Sequence, residues 1–295
     1  MISDSLEFRG LMMLKKRCVI SLRIVALMSV VGLLAGNPAY AADKDVISFT
    51  TAPTQSLKKT QELYGPLVEY LAKKTGANIK LVPARNFLEY TSKMRKGEYD
   101  MVFDGPHFVS WRMNKVNHVP IARLPGKLVF GAIVKDGGVI NDIKQLVGKK
   151  VCAVNSPNLA TLMVLDSFPN PVQQPVIVSS RSFKDAFTCL KTGKGQAAFI
   201  PMGFWKKFKK KGKTDGLRVL YTTKKNPLPT RTFSISQRID AVTRSNIQQA
   251  LLNTEGAAGA QPLLKRFNRK QFVDAPSSEF KGLSRLLLSV WGFHE

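Results

Sequence analysis

Residues 99–111 read YDMVFDGPHFVSW. Met101-Val102-Phe103 is an apolar run of the length of a buried strand, and Asp104-Gly105-Pro106 ends it abruptly. Pro106 then opens a segment with the look of a helix. Proline suits a first helical turn, because the N–H it lacks would have no partner there. A buried strand that turns at once into a helix is a βα junction, and in open α/β sheets ligands bind beside such strand ends. The helix start also presents amide donors and the positive end of the helix dipole, which suit an anion or a carbonyl oxygen. Gly105, Pro106, His107 and Phe108 are therefore candidate ligand-binding residues.

The same unit recurs on both sides. Residues 46–50 form a strand, 51–56 a polar loop with Pro53, and Leu57, Leu63, Leu67, Val68 and Leu71 an amphipathic helix closed by Gly76. Residues 79–82 are a strand, followed by a helix carrying Phe87, Leu88, Thr91 and Met94 and closed by Gly97. This βαβαβ order predicts parallel strands with right-handed crossovers. Further strands are predicted at 128–134, 150–154, 175–178, 197–200, 217–221 and 232–236, with helices at 143–146, 161–168 and 183–190. The tail from Arg244 alternates helical runs with Gly and Pro breaks. No Gly/Ser-rich linker separates the two groups of βα units, so a bilobed molecule with a cleft is expected. The strand-end loops add Thr54, Arg85, Asn86, Phe87, Asn158, Thr161 and Met202 to the candidates. An arginine at position 85 could grip a carboxylate or phosphate through two parallel hydrogen bonds.

The first 41 residues read as a secretory signal peptide: Lys15-Lys16-Arg17, an apolar run from Ile24 to Ala35, and the small-residue pattern Ala39-Tyr40-Ala41 before the expected cleavage. The initiating residue could equally be Met12 or Met13. The remaining 254 residues hold 40 Lys/Arg against 18 Asp/Glu, a net charge of +22. For an exported protein this favours an anionic ligand, lipid or polymer over nucleic acid. Its two cysteines, Cys152 and Cys189, are either a disulfide or two buried thiols. The densest charge run, residues 206–213, is either a solvated helix end or a contact for an anionic surface. The three histidines (107, 118 and 294) have no metal-ligand spacing, and no nucleophile elbow, P-loop or Cys-x-x-Cys occurs. These patterns predict neither an enzyme nor a cofactor or metal.

Several segments in order resemble the periplasmic phosphate/phosphite/phosphonate-binding proteins of ABC transporters: LVEYLAKKTG, IKLVPA, MRKGEYDMVFDGPHFV, INDIKQLVGKKVCAVNSP and AFTCLKTGKGQAAFIP. The resemblance implies a type II periplasmic-binding fold in which two lobes, each a mostly parallel sheet flanked by helices, are joined by two hinge strands. Lobe 1 would comprise residues 42–131 and 234–295 and lobe 2 residues 132–233, with crossings near Phe130–Val134 and Thr232–Ser236. It also implies a monomer that closes on a small molecule and hands it to an ABC permease, or to a membrane sensor kinase. Compared with the family, Val109 and Phe87 stand where tyrosines are usual, and only Thr161 keeps a hydroxyl in Asn158–Thr161. Lys184 aligns where better-known members carry a ligand-binding Glu, which makes it a further candidate and favours an anion over an aminoalkylphosphonate.

Overall fold

Alternation along Ile47–Thr51 (β1) sorts its side chains between two layers: Phe49 packs with Leu63, Tyr64 and Leu67 of the helix Leu57–Thr75 (α1). That helix starts at Ser56, whose hydroxyl accepts the Lys59 amide, and ends at Gly76, where φ of 66° suits a residue without Cβ. The computed structural model describes residues 46–253 and 259–293. The expected signal peptide and His294 lie outside the described residues. From Asp45 onward the chain is one compact unit.

Two five-stranded sheets carry this unit. The first has the order β2-β1-β3-β12-β4, built from Ile79–Leu81 (β2), Met101–Asp104 (β3), Thr232–Ser236 (β12) and His118–Arg123 (β4) beside β1. The second has the order β10-β6-β9-β7-β8, from Leu217–Thr222 (β10), Phe130–Lys135 (β6), Ala197–Pro201 (β9), Lys150–Val154 (β7) and Val176–Ser180 (β8). β12 is antiparallel to both its neighbours, and β6 to both of its own, so the other four strands of each sheet run one way. The two-lobed architecture and the mostly parallel sheets match the expectation.

The crossings fall a few residues from where they were expected. Phe130–Lys135 and Thr232–Ser236 each lie wholly inside one sheet. The chain changes lobes at a two-residue ladder, Lys127–Leu128 (β5) against Leu228–Pro229 (β11). The apolar runs at the expected positions are buried strands of the two sheets rather than the joins between lobes.

 The crossing segments themselves are rich in Pro and Gly, which break the apolar pattern.

Strand β4 was not anticipated, because Pro120 interrupts it. The proline is tolerated because β4 is an edge strand and Pro120 faces Ser234 beside an irregularity in the β12 ladder. The predicted helix at 143–146 is a single 3-10 turn with a capping box from Asp142 and Gln145.

Helices Phe87–Arg95 (α2) and Pro106–Lys115 (α3) cover one face of the first sheet, while α1, Ala241–Leu252 (α7) and Gln261–Phe267 (α8) cover the other. In the second lobe, Leu159–Asp166 (α4) lies on one face, and Phe183–Lys191 (α5) and Met202–Lys209 (α6) lie on the other. Cys152 of β7 and Cys189 of α5 are joined by a disulfide, S–S 1.99 Å, which ties that helix to its sheet. The largest apolar cluster crosses between lobes. It joins Tyr90, Phe108 and Trp111 to Phe130, Leu159 and Met163, with Leu286, Leu287 and Phe293 from the C-terminal segment.

Candidate functional site

The abrupt end of β3 has a structural cause. Asp104, its last residue, is fully buried, and its carboxylate faces Arg112 two helical turns further on. Helical side chains lean toward the N-terminus, so the Arg112 guanidinium reaches back along α3 to the strand end. It donates from Nη2 to Oδ1 at 2.6 Å and from Nη1 to Oδ2 at 3.0 Å. The Tyr90 hydroxyl of α2 donates to the same carboxylate, and Arg112 Nε donates to Ser234 Oγ of β12 at 3.1 Å. Burial works against the charge on Arg112, but the Asp104 carboxylate and the Tyr90 oxygen hold its pKa above the ordinary value. Burial, then the charge of Asp104, pushes the Tyr90 pKa well up, so the phenol stays protonated. The strand end, two helices and the return strand β12 are thus fastened at one point.

Immediately beyond this anchor, Gly105 caps α3 without a side chain, leaving the first-turn amides no side-chain acceptor. A Cβ at Gly105 would sit 2.7 Å from the His107 ring, so the ring's position requires glycine here. His107 is buried between the lobes, with Nε2 3.2 Å from the carbonyl oxygen of Pro157. A carbonyl only accepts, so Nε2 carries the proton and Nδ1 is left as a buried acceptor without a partner among the described residues. Burial pushes the His107 pKa down to about 4, so the ring is neutral at pH 7. Phe108 lies against it in a tilted arrangement, with ring centroids 4.2 Å apart.

Across this seam stands the start of α4. Asn158 caps it, accepting the Ala160 amide at 3.0 Å. Thr161 is buried, and its hydroxyl donates to the Val154 carbonyl, so it holds the loop between β7 and α4. The structure therefore brings Gly105, Pro106, His107 and Phe108 together with the loop that leads into Asn158 and Thr161. Met202 is half-buried at the start of α6, its amide bonded to Val129 at the crossing.

The remaining candidates sit apart from the seam contact. Arg85 is exposed and paired with Glu89 at 3.1 Å, while Asn86 caps α2 by accepting the Glu89 amide. The backbone hydrogen bond from Arg85, then the Lys93 ammonium, lowers the Glu89 pKa to about 2. Phe87 packs edge-on against Tyr90, and Thr54 and Lys184 are exposed. Sequence reading passed over Tyr90, Asp104, Arg112 and Arg231. Asp104 and Arg112 had one signal, a lone acid ending an apolar strand and a lone base in the helix that follows; Tyr90 had none. Arg231 stands beside β12, its guanidinium over the Phe267 ring at 5.6 Å, with no acidic partner among the described residues. A hollow of about 450 Å³, lined by Lys96, Asn117, Ser236 and Arg238 among others, lies at the opposite ends of β3 and β12 and shares nothing with this seam.

Two α/β lobes joined by paired crossings, with a helix N-terminus facing a strand-end loop across the seam, define a bilobed binding protein. Residues 49–280 match the family described as ABC transporter, phosphonate, periplasmic substrate-binding protein, and the chain belongs to that family. The family is a substrate-binding transport component, not an enzyme. The chain is 28% identical over 119 residues to the phosphate-import protein PhnD of Mycolicibacterium smegmatis; the match spans 38% of this chain and 37% of that protein. Its fold is similar to that of PhnD1 from Prochlorococcus marinus in complex with methylphosphonate, with TM-score 0.65, 16% identity, and coverage of 83% of this chain and 98% of the other. It is also similar to XAC2383 from Xanthomonas citri bound to ATP, with TM-score 0.68, 14% identity, and coverage of 82% and 96%.

Proposed function

We propose that this chain captures a small oxyanion of the phosphonate, phosphite or phosphate type at the seam between its lobes and delivers it, as a periplasmic monomer, to an ABC importer. The observation that carries this reading is the meeting of the uncapped α3 start, at Gly105–His107, with the Pro157–Asn158 loop of the other lobe. Amide donors at a helix start favour an anion there. The +22 charge outside the first 41 residues concentrates anions near the protein. Family membership and the methylphosphonate complex of the Prochlorococcus protein agree with that ligand class.

The mechanism is closure about the β5–β11 ladder. Each lobe supplies part of the contacts, so the ligand binds the closed form more tightly and shifts the population toward it. Neutral His107 helps hold the closed form through its bond to Pro157. Calorimetric titration with methylphosphonate, phosphite, phosphate, sulfate and a small organic cation tests the reading. Tight binding confined to one or more of the phosphorus oxyanions supports it; binding of the cation alone overturns it.

A further inference from the structure

The lobe carrying the second sheet is the more one-sided in charge. Residues 130–222 hold fifteen Lys/Arg against five Asp/Glu, a net of +10. Two of the five acids already have partners: Asp136 lies 3.7 Å from Arg218, and Asp166 pairs with Arg285. Six of the fifteen bases fall within eight residues, Lys206, Lys207, Lys209, Lys210, Lys211 and Lys213. All six are exposed, and none forms an ion pair among the described residues.

Topology places this run away from the ligand seam. β7 and β9 are parallel, and α6 leaves the end of β9 and runs back, so its last turn lies at the far pole of the lobe. α5 ends at the same pole: Lys191 Nζ donates to the Lys213 carbonyl at 3.2 Å, and exposed Lys194 follows. A base or two in the last turn offsets the negative end of a helix dipole. Eight bases around two helix ends exceed that need, and ligand capture does not use this pole.

The same pole carries an aromatic ring. Phe208, in the last turn of α6 between Lys207 and Lys209, is only partly buried, and its ring lies tilted against Phe204 at 4.3 Å. Lysines interleaved with partly exposed aromatic side chains suit the boundary of an anionic bilayer, where ammonium groups meet phosphates and rings enter the headgroup layer. We propose that this pole docks the protein reversibly on acidic phospholipid, leaving the seam free to open and close beside the membrane.

The test is co-sedimentation of the compact unit Asp45–Glu295 with vesicles at 0.1 M salt; the omitted apolar leader would itself seek lipid. Vesicles containing about one-third phosphatidylglycerol should retain the protein, and pure phosphatidylcholine vesicles should not. Retention should vanish at 0.5 M salt. The triple variant K206E/K210E/K211E should bind at least tenfold more weakly. A matched reversal in the first lobe, K58E/K115E/K281E, should keep most of the binding. Thermal melting of both variants checks that they are folded. Equal losses in the two variants would show that net charge, not this pole, is responsible. No retention by acidic vesicles, or equal retention by neutral ones, would overturn the proposal. Tight binding to soluble heparin without binding to acidic vesicles would also overturn it, pointing instead to a polyanionic polymer.

Discussion

At the residue scale, the most consequential group is the buried pair Asp104–Arg112. Its worth as a pair is modest, because two desolvated charges largely cancel their own attraction. Removing one partner is another matter. Arg112→Ala and Asp104→Ala should each lower stability by about 3–5 kcal/mol, since each strands a buried charge. Replacing both with apolar residues of similar volume, Asp104→Leu with Arg112→Met, should cost much less than the sum; urea unfolding of all three variants checks this. His107 gives a pH signature. Its folded pKa of about 4 lies below the ordinary 6.5, so between these values the unfolded chain binds a proton that the folded chain does not. Stability should therefore fall as pH drops from about 6.5 to 4, by up to about 3 kcal/mol from this residue, and flatten below. Burial pushes His118 down to about 3, which extends the same fall to lower pH. Unfolding midpoints at pH 7, 5.5 and 4.5 should show a smaller decline in His107→Asn than in the parent; identical slopes would mean that His107 is accessible to protons. The Gly105–Phe108 junction was legible in the sequence because strand, Gly and Pro are local signals. The anchor behind it was not, because nothing local says that a carboxylate at 104 turns inward to an arginine at 112.

At the element scale, the strand–helix alternation could be read because apolar runs and Gly stops punctuate it. The departures have physical causes. β4 was hidden by Pro120, which only an edge position tolerates, and the crossings were hidden because a two-residue ladder has no periodicity to detect. Arg85 looked like an anion clamp in sequence, but its own helix supplies Glu89 four residues later, and the two pair on the surface. Arg85→Ala should thus change ligand affinity less than Thr161→Ala, whose hydroxyl positions the loop before α4. Calorimetry of the two variants against the tightest phosphorus oxyanion decides between them. The disulfide belongs to this scale as well. It closes a separation of 37 residues between β7 and α5, and a loop of that size constrains the unfolded chain by roughly 4 kcal/mol in the chain-entropy account. Cys152→Ala/Cys189→Ala should lose about 2–4 kcal/mol in urea unfolding, while ligand affinity changes little because the bond lies on the far face of its sheet from the seam.

At the scale of the whole molecule, the lobes are joined by more than the crossings. The C-terminal segment packs Leu286 and Leu287 into the shared apolar cluster. Its Ser284 amide donates to Ser110 Oγ of α3 at 3.0 Å, while Arg285 Nη2 donates to Asp166 of α4 at 3.1 Å. This strap touches both lobes, so its polar contacts must rearrange if the lobes part. Arg285→Ala should favour the open form and weaken ligand binding a few-fold without changing the unfolding midpoint appreciably, because the pair is largely exposed. The bilobed plan itself was legible from the repeated βα units. The seam was not, because it joins residues 50 or more positions apart, such as His107 with Pro157. The central claim is that the lobes close on a phosphorus oxyanion at that seam. Small-angle scattering of Asp45–Glu295, alone and with saturating methylphosphonate, phosphite or phosphate, tests it most directly. Closure should give a smaller radius of gyration with at least one of the three; an unchanged radius with a ligand shown by calorimetry to be bound would rule closure out.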